Sequence, residues 1–162
     1  EIVEQQVVTG IAYAKDEAQI SLRRVEDRPG VSAGIFGPLA EAGINVDMIV
    51  QNISEDGKFT DMTFTVPAGD VSKALTVLDK VKETVGFDVV QHEEGLSKVS
   101  VIGIGMRSHA GVAASAFRAL ADKGINIRAI TTSEIKISIL IDGAYTELAV
   151  RTLHSVYGLD KQ

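Results

Sequence analysis

The chain has 162 residues, 45% of them apolar, a formal net charge of −6 and no cysteine. That apolar content supplies a core for one domain or two small ones and argues against disorder. The missing cysteines exclude disulfides, thiolate metal sites and cysteine nucleophiles. An acidic balance with only 5% aromatics lacks the basic face and stacking rings of a nucleic-acid binder. No apolar run approaches the roughly 20 residues of a membrane-spanning helix. The chain shows no signal-peptide pattern and starts at Glu1 rather than Met, so it is expected to be a piece of a longer protein.

In chain order, Gln6 to Ala14 (QVVTGIAYA) is strand-like, and Ile20 to Val25 is a short β-rich run. Glu26-Asp27-Arg28-Pro29-Gly30 breaks that run with turn residues. Val31, Ile35, Leu39 and Ala42 then fall near helical spacing. Gly43 is a C-terminal stop, and Pro38 predicts a kinked or loosened helix. Ile44 to Ile53 reads as a strand and Glu55-Asp56-Gly57 as a hairpin turn. Phe59 to Val66 is a strand with Phe59, Met62, Phe64 and Val66 as its apolar set and a register shift near Asp61. Asp70 is an N-cap candidate for an amphipathic helix carrying Val71, Leu75, Leu78, Val81 and Val85. Phe87 to His92 is a last strand. The order β-α-β-β-α-β is the ferredoxin-like plan, an α+β fold with an antiparallel four-stranded sheet and two helices on one face.

The chain then repeats itself. Gly30 to Ile49 and Gly111 to Ile130 match at ten of twenty positions, at a constant offset of 81. A period this long is a duplicated small domain. The second copy reads as strand Val99–Ile104, helix Gly111–Lys123, strand Ile125–Ser133, strand Ile135–Ile141 and helix Tyr145–Tyr157. Its sixth element is missing, and an uncovered sheet edge is a liability. Gln6–Ala14 is predicted to fill the gap, which makes the first domain (15–94) an insertion into the second (1–14 plus 95–162).

The corner Asp27 to Ser32 is the leading candidate for chemistry. A helix N-terminus offers unpaired amides and partial positive charge, which suit a carboxylate, and glycine permits close approach. Asp27 could hold an ammonium, so the corner matches a free α-amino acid. Gln51, on the next strand, could read a side-chain hydroxyl. The competing reading is that Asp27 only caps the helix. In the second copy the position matching Asp27 is Ser108, so its corner should not bind the same ligand in the same way. Asn45 and Asn126 recur at the helix exits, as turn residues or ligand groups. Gly103 and Gly105 lack the third glycine of a dinucleotide loop. His92, His109 and His154 form no metal or triad pattern, and Asp56–Asp61 lacks calcium-loop spacing.

Several runs carry a family resemblance: VTGIAYAKDEAQISLRRVEDRPG at Val8–Gly30, AGINVDMIVQNIS at Ala42–Ser54, TDMTFTVP at Thr60–Pro67, KVSVIGIGMRSHAGV at Lys98–Val112 and INIRAITTSEIKISILI at Ile125–Ile141. Together they resemble the tandem ACT domains in the regulatory portion of aspartate kinase. The resemblance implies a non-catalytic sensor of threonine, alone or in concert with lysine. The kinase domain that uses ATP and Mg to phosphorylate aspartate is absent, and this portion needs no cofactor. It implies a cytoplasmic homodimer joined through its ACT domains, partnered by a catalytic domain or α subunit, with no nucleic acid and no membrane. Carried over, the threonine site falls on Asp27, Gly30, Ser32 and Gln51, with Asn126 and Ile127 from the other subunit. A lysine site in two-effector members would involve Asp47, Met48, Ser133 and Glu134. Many relatives have Pro where this chain has Ala110, which loosens the second corner. Two other readings remain: a ligand-free dimerisation module, and an acyl-phosphate hydrolase using Arg28 and Asn45.

Overall fold

The structure is a computed structural model, and it describes residues 7–106 and 109–161. Gln6 and the corner residues Arg107 and Ser108 lie outside the described residues. The chain divides into two units. The first runs from Asp16 to Glu94, and the second combines the described residues up to Lys15 with those from Gly95 onward.

The first unit holds the end of β1 (Val8–Glu26), α1 (Val31–Glu41), β2 (Asp47–Ile53), β3 (Phe59–Pro67), α2 (Val71–Val81) and the start of β4 (Val89–Gly103). Its strand order is β2-β3-β1-β4. β1 alternates as a half-buried strand must: Ala18, Ile20 and Leu22 are fully buried and meet Met62, Phe64 and Val66 of β3. Val31, Ile35 and Leu39 of α1 and Val71, Ala74, Leu78 and Val81 of α2 close this core from one face. Phe36 meets Phe64 edge to face at 5.3 Å.

The second unit repeats the plan. It holds the start of β1, the end of β4, α3 (Ala110–Asp122), β5 (Ala129–Thr132), β6 (Lys136–Asp142) and α4 (Thr146–Val156), in the order β5-β6-β4-β1. Val8 packs with Val99, Val101, Val112, Leu120, Ile139 and Leu153, and the Thr9 hydroxyl donates to the Ile102 carbonyl at 3.3 Å. Tyr157 donates to the Val112 carbonyl at 2.5 Å, fixing the end of α4 against α3. Each unit is therefore a ferredoxin-like α+β domain, and the chain enters and leaves the second around the first. No helix among the described residues is long and apolar enough to cross a membrane.

Several local expectations change. β1 and β4 are single strands of 19 and 15 residues, where the sequence suggested two short runs in each place. Charged residues at Lys15–Glu17 and at Glu93 and Glu94 hide the continuity, which backbone pairing maintains. The shift near Asp61 lies on the opposite strand. Leu22 pairs with Met62 and Val25 with Thr60, so Arg23 and Arg24 together face Asp61. This bulge returns Val25, not Arg24, to the core. The Asp61 carboxylate holds it by accepting the Arg24 amide at 2.9 Å and the Arg23 guanidinium at 3.3 Å. Thr60 accordingly points inward, while Phe59 is half-buried beneath the Arg24 guanidinium. α1 runs unbroken through Pro38. α2 stops at Val81, although Val85 still reaches the core. Asp70 occupies the N-cap position of α2, yet its side chain makes no capping bond. The strands expected from Ile44 and Ile125 begin only at Asp47 and Ala129.

Candidate functional site

β1 ends at Glu26 and delivers the chain to the turn Asp27–Gly30. Two backbone bonds fix that delivery: Glu26 donates to the Gly86 carbonyl at 3.2 Å and Asp27 to the Lys58 carbonyl at 3.0 Å. Gly30 then turns with φ 89°, a left-handed conformation that costs a side-chain-bearing residue about 1–2 kcal/mol. It is the N-cap of α1 without any side-chain capping bond. The Val31 amide is taken by the Arg28 carbonyl at 3.3 Å. The amides of Ser32 and Ala33, one step further in, lie in the first turn, where the helix itself supplies no carbonyl to accept them. Nothing lies within 4 Å of the position a Gly30 side chain would occupy, so the mouth of the helix is open.

Asp27 does not cap α1. Its side chain is exposed, and no hydrogen-bond or ion-pair partner holds its carboxylate among the described residues. Arg28 is occupied elsewhere: its guanidinium meets the Glu26 carboxylate at 3.4 Å and donates to the Thr84 carbonyl at 3.3 Å. That tether leaves Arg28 badly placed as the phosphate anchor of a hydrolase. The corner thus combines a free carboxylate with helix-end amides a few residues apart, a pairing suited to a zwitterion.

Asp27, Gly30 and Ser32 share this corner. Gln51 is exposed on edge strand β2, paired with Met62 and so level with Leu22, below the strand end. Exposed Ile49 and Ile53 flank it. Next to Asp47 lies a second bulge: Asp47 pairs with Thr65 but Val50 with Thr63, so Met48 and Ile49 together face Phe64. Met48 sits at φ 47°, and its amide donates to the Asp47 carboxylate at 2.8 Å.

In the second unit, Asn126 is exposed and Ile127 half-buried in the stretch between α3 and β5. Ser133 closes the β5–β6 hairpin: its hydroxyl accepts the Ile135 and Lys136 amides at 3.4 and 3.3 Å. The Glu134 side chain is exposed, while its carbonyl accepts the Met106 amide at 2.8 Å. At the second corner, His109 is the N-cap of α3 and its Nδ1 lies 2.9 Å from the Gly105 carbonyl. Ser108, the counterpart of Asp27, is outside the described residues. Among the described residues no three His, Asp or Glu side chains gather closely enough to hold a metal.

Sequence reasoning missed two features. One is the Glu26–Arg28 pair beside the candidate carboxylate. The other is Thr65, a buried residue whose hydroxyl has no hydrogen-bond partner among the described residues. Nothing in the strand pattern distinguishes Thr65 from its neighbours; only the fold sets it between Gln19 of β1 and Asp47 of β2.

An ACT-domain family model matches residues 19–83, and a second ACT-domain model matches residues 99–157. An aspartokinase of Helicobacter pylori is 52% identical over 161 residues, covering 99% of this chain and 39% of its own length. This chain therefore spans well under half of the curated relatives it matches. Among solved structures, one of aspartokinase alpha and beta subunits is 49% identical with a TM-score of 0.83, covering 93% of this chain and 99% of its own. The ligand-free regulatory subunit of aspartate kinase from Thermus thermophilus is 39% identical with a TM-score of 0.84, covering 93% and 98%. The chain belongs to the ACT-domain family, in the tandem arrangement that forms the regulatory portion of aspartokinases.

Proposed function

We propose that this chain senses L-threonine and lowers the activity of an aspartate kinase in response, with L-lysine acting in concert. The catalytic domain or α subunit would use ATP and Mg to phosphorylate the side-chain carboxylate of aspartate in the cytoplasm; this portion supplies only control. The observation that carries the reading is the exposed Asp27 carboxylate, unpartnered among the described residues, beside the open N-terminus of α1.

Asp27 holds the effector's ammonium, the amides around Gly30 and Ser32 its carboxylate, and Gln51 its hydroxyl. Asn126 and Ile127 complete the site from the second protomer of a homodimer. Asp47, Met48, Ser133 and Glu134 form the lysine site. Inhibition follows from differential binding: threonine favours the dimer arrangement in which the kinase is slow, by as much as its affinities for the two arrangements differ. An effector shared between protomers also stabilises the dimer, so ligand and assembly reinforce each other.

The test uses the intact kinase. Charge-assisted hydrogen bonds are worth roughly 1.5–3 kcal/mol, so Asp27→Ala is expected to raise the threonine concentration for half-inhibition by at least about tenfold. Uninhibited kcat should stay unchanged. Full threonine sensitivity in that variant would remove Asp27 from the site.

A further inference from the structure

Asp27 has a cation as its sequence neighbour, yet the two do not pair. The Arg28 guanidinium is drawn the other way, to the Glu26 carboxylate at 3.4 Å and the Thr84 carbonyl at 3.3 Å. The Glu26 carboxylate lies 3.2 Å from where a Gly86 side chain would begin, so the absence of a side chain there gives it room. The backbone seats both groups, since Glu26 donates to the Gly86 carbonyl at 3.2 Å.

We propose that Glu26, lodged over Gly86, acts with the Thr84 carbonyl to hold Arg28 off Asp27 and so keep the Asp27 carboxylate available to the ammonium of an α-amino acid. The inference rests on the reading of Asp27 as the ammonium-binding group. Glu26 is a positioning residue: it touches no ligand and acts through Arg28. An exposed pair of this kind adds little to stability, with Arg28 and Glu26 side chains 48% and 56% exposed. What it does is decide which carboxylate the guanidinium neutralises. An arginine released from Glu26 would compete with the ligand for Asp27 through a charge-assisted, two-pronged contact.

The test is a double-substitution cycle read by calorimetric titration of the whole chain with L-threonine. Glu26→Ala is expected to weaken binding about tenfold or more. Arg28→Ala alone leaves affinity unchanged or tighter. The double variant Glu26→Ala/Arg28→Ala returns to the Arg28→Ala value, because the competitor is gone. A merely structural Glu26 cannot produce that rescue. If Glu26→Ala fails to fold, Gly86→Ala crowds the same carboxylate and should show the same weakening, again relieved by Arg28→Ala. Unchanged affinity in Glu26→Ala overturns the inference while leaving the effector site intact. So does equal weakening by Arg28→Ala, which would make Arg28 a ligand-holding group. Loss of all threonine binding in the unaltered chain overturns the effector reading itself, and this inference with it.

Discussion

The two units solve the same folding problem with matched parts, and they differ in polar residues and irregular backbone at one sheet edge. At the helix exits they are nearly superposable in chemistry. Gly43 and Gly124 sit at φ 77° and 72°, and the amides of Ile44 and Ile125 return to the carbonyls of Leu39 and Leu120 at 3.0 and 2.9 Å. On the helix-free sheet faces, Ser21 meets Thr63 at 3.3 Å in the first unit and Ser100 meets Ser138 at 2.8 Å in the second. Those hydroxyl pairs align the two sheets residue by residue. One row away the match fails: Asp47–Thr65–Gln19 in the first unit stands where the second has Ala129–Leu140–Lys98. β2 also carries a bulge at Met48, whereas β5 pairs with β6 in uninterrupted register. The common scaffold is set by buried apolar side chains and helix exits. The departures are polar residues and irregular backbone, features that local folding rules do not ask for.

The largest expected effects test the scaffold. Leu39 and Leu120 are both fully buried at matching positions. Each Leu→Ala change is expected to cost about 2–5 kcal/mol, measured by urea denaturation; a loss under about 1 kcal/mol at either would break the equivalence. Gly43→Ala and Gly124→Ala come next, at about 1–2 kcal/mol each for forcing a side chain into the left-handed region. Similar losses at the two exits support a shared cap, and a cost at one alone does not.

Thr65 sharpens the contrast from the other side. Its buried hydroxyl has no partner among the described residues, and an unpaired buried polar group costs about 1–3 kcal/mol. Thr65→Val keeps the branched shape and removes the hydroxyl, bringing the position closer to Leu140. It is expected to raise stability by about 1 kcal/mol, seen as a higher denaturation midpoint. A lower midpoint would mean that the hydroxyl is satisfied in solution.

The smallest effect concerns the hairpins. Both are closed by a serine hydroxyl, Ser54 in the first unit and Ser133 in the second, but the first adds a carboxylate. The Asp56 carboxylate accepts the Ser54 hydroxyl at 2.6 Å and the Lys58 amide at 3.0 Å. These bonds hold the Asp56 carboxyl below its ordinary 3.8. A carboxylate depressed in the folded state contributes stability above its unfolded pKa and loses it as pH falls through the folded value. Asp56→Asn should therefore flatten the acid limb of the stability curve slightly below about pH 4. NMR titration of Asp56 should give a midpoint under 3.8; a midpoint at or above it would contradict the hairpin geometry.

Much of this fold was legible because duplication printed it twice. The Gly-Ile-Asn exits, the alternation in Phe59–Val66 and the helical spacing of Val71–Val81 each follow from local period and turn chemistry. Strand lengths were not legible, since Asp16, Glu17 and Glu93–Gly95 read as breaks and only pairing shows them to be strand. The bulge at Arg23–Arg24 was half visible: the sequence located it near Asp61 but on the wrong strand. At the candidate site, the residue types at Asp27, Gly30 and Gln51 were readable. That Asp27 leaves the helix uncapped was not, because an aspartate before a helix usually caps it. The hold of Glu26 on Arg28 needs residues 84–86 brought against the corner, and no local pattern encodes that.

The central claim is that the first corner binds an amino acid through Asp27. Calorimetric titration of the purified chain with L-threonine tests it most directly. Saturable binding, weakened at least about tenfold by Asp27→Ala and accompanied by a higher melting temperature of the unaltered chain, is the predicted result. Binding that survives Asp27→Ala unchanged, or no heat and no thermal shift at millimolar threonine, would contradict it.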